Sequence, residues 1–330
     1  DLLGLSATTI SNSTVRGGSH ADTIILGSAI GSTSDNANKG ADLISAANLS
    51  AASIFGGAGH DTIQVVANAG GRINAGAGND SLILGGSGTV VGGGLADTLA
   101  IGDNAQGQIW GDAISVTTAG TGTGSQADGA DRVTGGTNSG ALTVYGAGGA
   151  DTITLGALES GASILLDGGN QADLIQVGTS TGAALTMIGG GGADTINFGS
   201  QTAQATTSIS AGAGHDVVTG GDFFGTISGG DGTDTISFLH LFSASLIDAG
   251  AQNDAITVAA GGTLYAATTI NAGAGADTLT INGATGASTG RSIDMGAGND
   301  FIAIGTTALD ALSGGNTQLQ NAITISGGDG

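Results

Sequence analysis

Apolar residues recur along this chain with a period of two, at fixed distances from a recurring aspartate. Two and four residues after successive Asp residues stand Ile24 and Leu26, Ile63 and Val65, Leu82 and Leu84, and Leu99 and Ile101. The same holds for Ile153 and Leu155, Ile196 and Phe198, Ile236 and Phe238, Ile256 and Val258, Leu279 and Ile281, and Ile302 and Ile304. Alternation over about five residues turns one set of side chains inward, and the β-branched bias favours a short strand over a helix. A second apolar column stands seven residues before the aspartate. It holds Val15, Ile54, Ile73, Val90, Val144, Leu166, Met187, Ile209, Ile227, Ile247, Ile270 and Ile293, with Asp35 breaking it ahead of Asp42. Each copy therefore predicts two short strands and two Gly-rich turns.

The aspartates that set this register are Asp22, Asp42, Asp61, Asp80, Asp97, Asp131, Asp151, Asp173, Asp194, Asp216, Asp234, Asp254, Asp277 and Asp300. Their intervals run from 17 to 23 residues, with one of 34 between Asp97 and Asp131. No single copy can bury its apolar side alone, so the copies must stack. Successive coils in parallel, about 4.8 Å apart, pair backbone groups above and below and enclose a continuous apolar interior. The expectation is an all-β fold: a right-handed parallel β-solenoid, similar to a β-roll, of about 14 coils of roughly 20 residues, filling 1–330 as one domain.

Within the 34-residue interval, Ile109-Trp110-Gly111-Asp112 reads as the opening of a coil and Gly129-Ala130-Asp131-Arg132-Val133 as its close. Residues 113–128 are then a lateral loop inserted in one turn, well beyond the usual two to six residues. At the end of the sequence, Ile325-Ser326-Gly327-Gly328-Asp329-Gly330 repeats Ile227-Ser228-Gly229-Gly230-Asp231-Gly232 and stops before its Asp, as expected of a segment from a longer array.

Composition narrows the function. There are 67 Gly, no Pro and no Cys, with 39% hydrophobic residues and a mean hydropathy of +0.26, which argues against collagen, disorder and long helices. Net charge is −22, with Arg16, Lys39, Arg72, Arg132 and Arg291 as the five cations. Scattered cations cannot form the basic stripe that nucleic acid requires, and an acidic surplus suits metal cations. No apolar run reaches the roughly 18 to 20 residues of a membrane span.

The turn before each Asp carries the chemistry. It reads Gly56-Gly57-Ala58-Gly59-His60-Asp61, Gly189-Gly190-Gly191-Gly192-Ala193-Asp194 and Gly229-Gly230-Asp231-Gly232-Thr233-Asp234. Glycine permits positive φ, so carbonyls can turn toward one point to which the Asp adds a carboxylate. Calcium takes six to eight such oxygens. In-register stacking sets neighbouring carboxylates about 5 Å apart, where each pair repels by roughly 3 kcal/mol at an effective dielectric near 20. Divalent ions along one edge of the solenoid would neutralise that column. Without them, the same residues could simply make turns, with Asp side chains capping backbone amides.

At these residues the chain resembles the hemolysin-type calcium-binding repeat family, RTX, whose nonapeptide is Gly-Gly-x-Gly-x-Asp-x-apolar-x. Gly56 to Gln64 fits it completely. The resemblance implies calcium held between stacked turns by the fourteen aspartates and their glycines. The glycines are Gly57 and Gly59, Gly76 and Gly78, Gly190 and Gly192, Gly212 and Gly214, Gly230 and Gly232, Gly273 and Gly275, and Gly296 and Gly298. It also implies secretion by type I machinery. The chain departs from the family in carrying one motif per coil instead of two. Leu95, Gln171 and Gln252 replace the fourth-position Gly before Asp97, Asp173 and Asp254.

Long, Pro-free arrays rich in Gly, Ala and Thr look like segments of bacterial surface layers and secreted adhesins. The leading expectation is an extracellular, cell-surface structural repeat, stabilised by calcium and self-associating into a lattice or filament, with no catalytic activity, nucleic-acid binding or membrane insertion. An ice- or crystal-binding ladder is a second reading, because Thr23, Thr62, Thr98, Thr152, Thr195, Thr235 and Thr278 directly follow the Asp. A polysaccharide lyase or epimerase is a third, but the cations lie in separate coils and His20, His60, His215 and His240 read as turn or surface residues.

Overall fold

The computed structural model describes residues 40–112 and 129–304, apart from 51–52, 203–205, 243 and 286–289. It also describes the strand backbones Leu2–Leu5, Thr14–Val15, Thr23–Ser28, Ser32–Thr33 and Ile323–Ser326. Among the described residues there is no helix, and hence none that could cross a membrane. Parallel strands stack coil upon coil into a β-solenoid of about twelve turns, against the fourteen expected. Asp22 and residues 305–322 lie outside the described residues. The chain divides into two compact units.

The first unit spans Asp1–Gly156 and Ala162–Asn170. The column two residues after the Asp pairs coil to coil as Ile44, Ile63, Leu82, Leu99, Val133 and Ile153. The column seven before it runs Ile54, Ile73, Val90, Val144 and Leu166, and Ile109, 22 residues before Asp131, pairs between Val90 and Val144 to complete it. All are buried, and each side chain contributes about 1.5–3 kcal/mol by leaving water. Leu99 pairs directly with Val133, so the 34-residue interval makes one coil. The expected loop at 113–128 lies outside the described residues, but Gly129 N–H donates to Asp112 Oδ1 (3.2 Å) across its two ends. Trp110, on the strand leading into it, stacks on Tyr145 with ring centroids 3.9 Å apart.

The second unit comprises Ala157–Gly161 and Gln171–Gly330. Its post-Asp column runs Ile175, Ile196, Val218, Ile236, Ile256, Leu279 and Ile302. Its second column runs Met187, Ile209, Ile227, Ile247, Ile270 and Ile293. A third, very short rung was not expected. It bridges Leu158, Ser180 and Gln201 and pairs Phe223, Leu241 and Leu264. Two residues per coil are too few to display a period in the sequence. Phe223 and Leu241 point inward and are fully buried. On the outer side of this corner, Phe224 stacks on Phe242 (4.1 Å) and Phe242 on Tyr265 (4.6 Å).

Candidate functional site

Period two runs back through the turn to the aspartate itself, so the carboxylate shares the inward parity of the residues two and four places later. From Asp42 to Asp277 each motif Asp is at most 3% exposed. Asp300 is half-buried. The aspartates form columns inside the corner.

One hydrogen bond repeats throughout: the backbone N–H of each Asp donates to Oδ1 of the Asp in the next coil. In the first unit Asp42 donates to Asp61 (2.8 Å), Asp61 to Asp80 (2.7 Å), Asp80 to Asp97 (2.8 Å), Asp97 to Asp131 (2.7 Å) and Asp131 to Asp151 (2.7 Å). In the second unit the chain runs from Asp173 through Asp194, Asp216, Asp234, Asp254 and Asp277 to Asp300 at 2.8–3.0 Å. The residue after each Asp donates to the Asp carbonyl of the preceding coil, as Ser81 does to Asp61 and Thr235 to Asp216, both at 2.8 Å. Amide capping by the carboxylate is thus part of the fold.

The second oxygen differs. Oδ2 of Asp80, Asp97, Asp194, Asp216, Asp234, Asp254 and Asp277 is buried without a hydrogen-bond partner. Beside three of these lies a glycine, five residues earlier, whose absent side chain leaves the room. A Cβ on Gly92, Gly189 or Gly229 would meet both Oδ2 of its own Asp and the carbonyl of Gly111, Ala211 or Ala249 in the next coil. Two acceptors face one small space there.

Burial raises these carboxyl groups above the usual range, and the amide from the preceding coil only partly offsets it. Asp80 and Asp194 are pushed up to about 6, Asp254 to about 7 and Asp97 to about 8. Asp216, Asp234 and Asp277 move the same way. Neighbouring carboxylates add to the rise at Asp97, Asp194 and Asp254.

All fourteen glycines singled out in the sequence have positive φ, for instance 115° at Gly212 and 148° at Gly214. Close stacking gives a second reason for glycine, since a Cβ on Gly214 would strike the carbonyl of Gly192. Leu95, Gln171 and Gln252 keep the turn with φ of 72°, 75° and 78°, at the cost expected of a side chain in the left-handed region. The turn is also bonded between coils: Gly59 N–H donates to Ala77 O and Gly214 N–H to Asp231 O, both at 2.8 Å.

The residue just before the Asp holds a coil-to-coil cap that the sequence reading missed. Nδ1 of His60 accepts from Asn79 N–H (2.9 Å), Nδ1 of His215 from Thr233 N–H (2.8 Å), and Oδ1 of Asn253 from Ala276 N–H (2.7 Å). His and Asn share only an acceptor at the right reach, so no single residue type marks the position.

These donors fit calcium in chemistry: hard carboxylate and carbonyl oxygens, an acidic column, and a buried oxygen still lacking a partner. Among the described residues no three carboxylate or imidazole side chains converge, so an ion here would depend on carbonyls as well as Oδ2. Among the described cations of the lyase reading, Arg72 and Arg132 stand on separate coils of the first unit. Arg132 follows Asp131, Arg291 is buried with Nε donating to Leu264 O (2.9 Å), and Arg16, Lys39 and His20 lie outside the described residues. The threonine row is broken in the second unit, where Val217, Ala255 and Phe301 alternate with Thr195, Thr235 and Thr278. A scan against protein-family models and searches of the curated proteins and of the solved structures return no match for this chain.

Proposed function

We propose that this chain is a calcium-stabilised structural repeat of a bacterial surface layer, surface filament or secreted adhesin. The observation that carries the reading is the set of buried Oδ2 atoms without donors, at Asp80 and Asp97 in the first unit and at Asp194, Asp216, Asp234, Asp254 and Asp277 in the second. Buried polar atoms are normally satisfied, and a buried carboxylate is normally paired or metal-bound. Calcium would be held by these oxygens, with the carbonyls of Gly111, Ala211 and Ala249 beside Asp97, Asp194 and Asp234. When bound it supplies positive charge to a column whose members otherwise repel.

The glycines let the coils approach, the Oδ1 ladder fixes their register, and the ion relieves the charge that register creates. A chain that gains stability only on meeting calcium outside the cell suits the type I export implied by its RTX-like turns. Calcium titration followed by circular dichroism and thermal melting tests the reading. Added calcium should raise the melting temperature or bring in the β signal, and chelator should reverse it. Identical spectra and melting in chelator and in calcium, with no heat of binding, would remove calcium from the function.

A further inference from the structure

One coil of the first unit departs from its neighbours inside the Gly-rich turn. Asp112 pairs with Gly93, Gly93 with Gly76, and Gly76 with Gly57. Those three glycines have positive φ and stand four residues before their own Asp, a position that holds Gly or Ala in every other described coil. The carboxylate added by Asp112 is inside the protein: the residue is 2% exposed, and its Oδ1 accepts from Gly129 N–H at 3.2 Å. Asp231, another acid within a turn, is exposed.

The hydrogen bond to Gly129 carries this carboxylate toward Asp97. A Cβ on Gly129 would strike the Leu95 carbonyl and the Ala96 nitrogen, the stretch that leads directly into Asp97. The charge is felt there. Burial pushes the Asp97 carboxyl group up to about 8 against the hydrogen bond from Asp80, and the charges of Asp80 and Asp112 push it the same way as burial. An independent observation falls at the same corner. Asp97 is 1% exposed, and its Oδ2 is buried without a hydrogen-bond partner. That oxygen borders the space that a Cβ on Gly92 would fill, opposite the carbonyl of Gly111, the residue joined to Asp112. A buried carboxylate oxygen in that state is normally paired or metal-bound.

We propose that Asp112 is a second acidic ligand for a divalent cation beside Asp97, and that this gap is the first of the described gaps to fill. The ranking rests on the calcium-stabilised function and names the residue that sets it. Calcium affinity rises with the number of charged ligands and with the rigidity of the site. Both increase at this gap. Oδ2 of Asp97 comes from one coil, the Gly111 carbonyl and the Asp112 carboxylate from the next, and hydrogen bonds from Asp97 N–H to Asp131 (2.7 Å) and from Gly129 N–H to Asp112 hold the two coils in place. Two carboxylates in one buried corner also repel more strongly than one column member repels the next, so a bound divalent ion relieves more charge there than elsewhere.

The site has its own reporter, because the chain has one tryptophan and it is Trp110, two residues before Asp112. Terbium takes the oxygen ligands that calcium takes and emits when a nearby tryptophan is excited. The test is a terbium titration of the full chain excited through tryptophan, with calcium competition, calorimetry, and circular dichroism to report the fold. In wild type the emission should be complete while calorimetry shows further ions still binding, and calcium should suppress it. Asp112→Asn, which keeps an acceptor for Gly129 N–H, and Asp112→Gly, which restores the residue found at Gly93, should each raise the terbium and calcium concentrations required at least about tenfold. Asp194→Asn, in the second unit, should leave the tryptophan signal unchanged. Emission that develops in wild type only after other ions have bound overturns the proposal without any variant, as do folded Asp112 variants that titrate like wild type; calcium binding at the other aspartates would survive either result. A wild type that binds neither terbium nor calcium by calorimetry would remove the calcium function and this site together.

Discussion

Asp234 illustrates what one carboxyl group does in this fold. It is fully buried, its Oδ1 accepts the Asp216 amide at 2.9 Å, and its Oδ2 borders, with the carbonyl of Ala249, the space that a side chain on Gly229 would fill. The two oxygens have separable roles. Asp234→Ala would strand the Asp216 amide and should cost about 1–3 kcal/mol with or without calcium, read by denaturant melts. Asp234→Asn keeps the acceptor and offers an NH₂ toward the Ala249 carbonyl. In chelator it should stay within about 1 kcal/mol of wild type, while in calcium it should show less stabilisation than wild type. Equal losses for both variants in chelator would mean that charge, not amide capping, is the structural contribution.

At the scale of the turn, glycine meets two demands, positive φ and clearance from the neighbouring coil. Gln252 meets the first imperfectly, with φ of 78° and an exposed side chain. Gln252→Gly should therefore stabilise by about 1 kcal/mol. Gly275→Ala, whose Cβ would strike the Gln252 carbonyl, should destabilise by more than that and lower the denaturation midpoint. If Gly275→Ala melts like wild type, the coils are not as closely stacked as described. Most of this element was legible. The alternation at Ile196 and Phe198, the column at Met187 and Ile209, and the turn glycines all follow from a strict repeat. The caps from His60, His215 and Asn253, the Phe224–Phe242–Tyr265 stack and the third rung were not, because each depends on which coils become neighbours.

Over the whole molecule, the buried aspartates set an unusual pH dependence. Burial holds Asp80 and Asp194 up at about 6, Asp254 at about 7 and Asp97 at about 8, so between the ordinary carboxylate range and these values the folded chain binds more protons at these groups than the unfolded one. Stability in chelator should accordingly fall as pH rises through this window and recover on acidification. Calcium should flatten or invert that slope by favouring the ionised form. Melting temperatures at pH 5 and pH 8, with calcium and with chelator, check this; a chelated protein more stable at pH 8 contradicts it.

The sequence by itself determined the coil, the inward parity of the apolar columns and the aspartate register, because a short repeat can satisfy its backbone and bury its apolar face only by stacking on copies of itself. Only the tertiary structure decided what each carboxylate oxygen does. Oδ1 meets its amide across the gap between coils, Oδ2 is left in a space bounded by another coil's carbonyl, and the Phe224–Phe242–Tyr265 stack forms only when coils about 20 residues apart lie side by side.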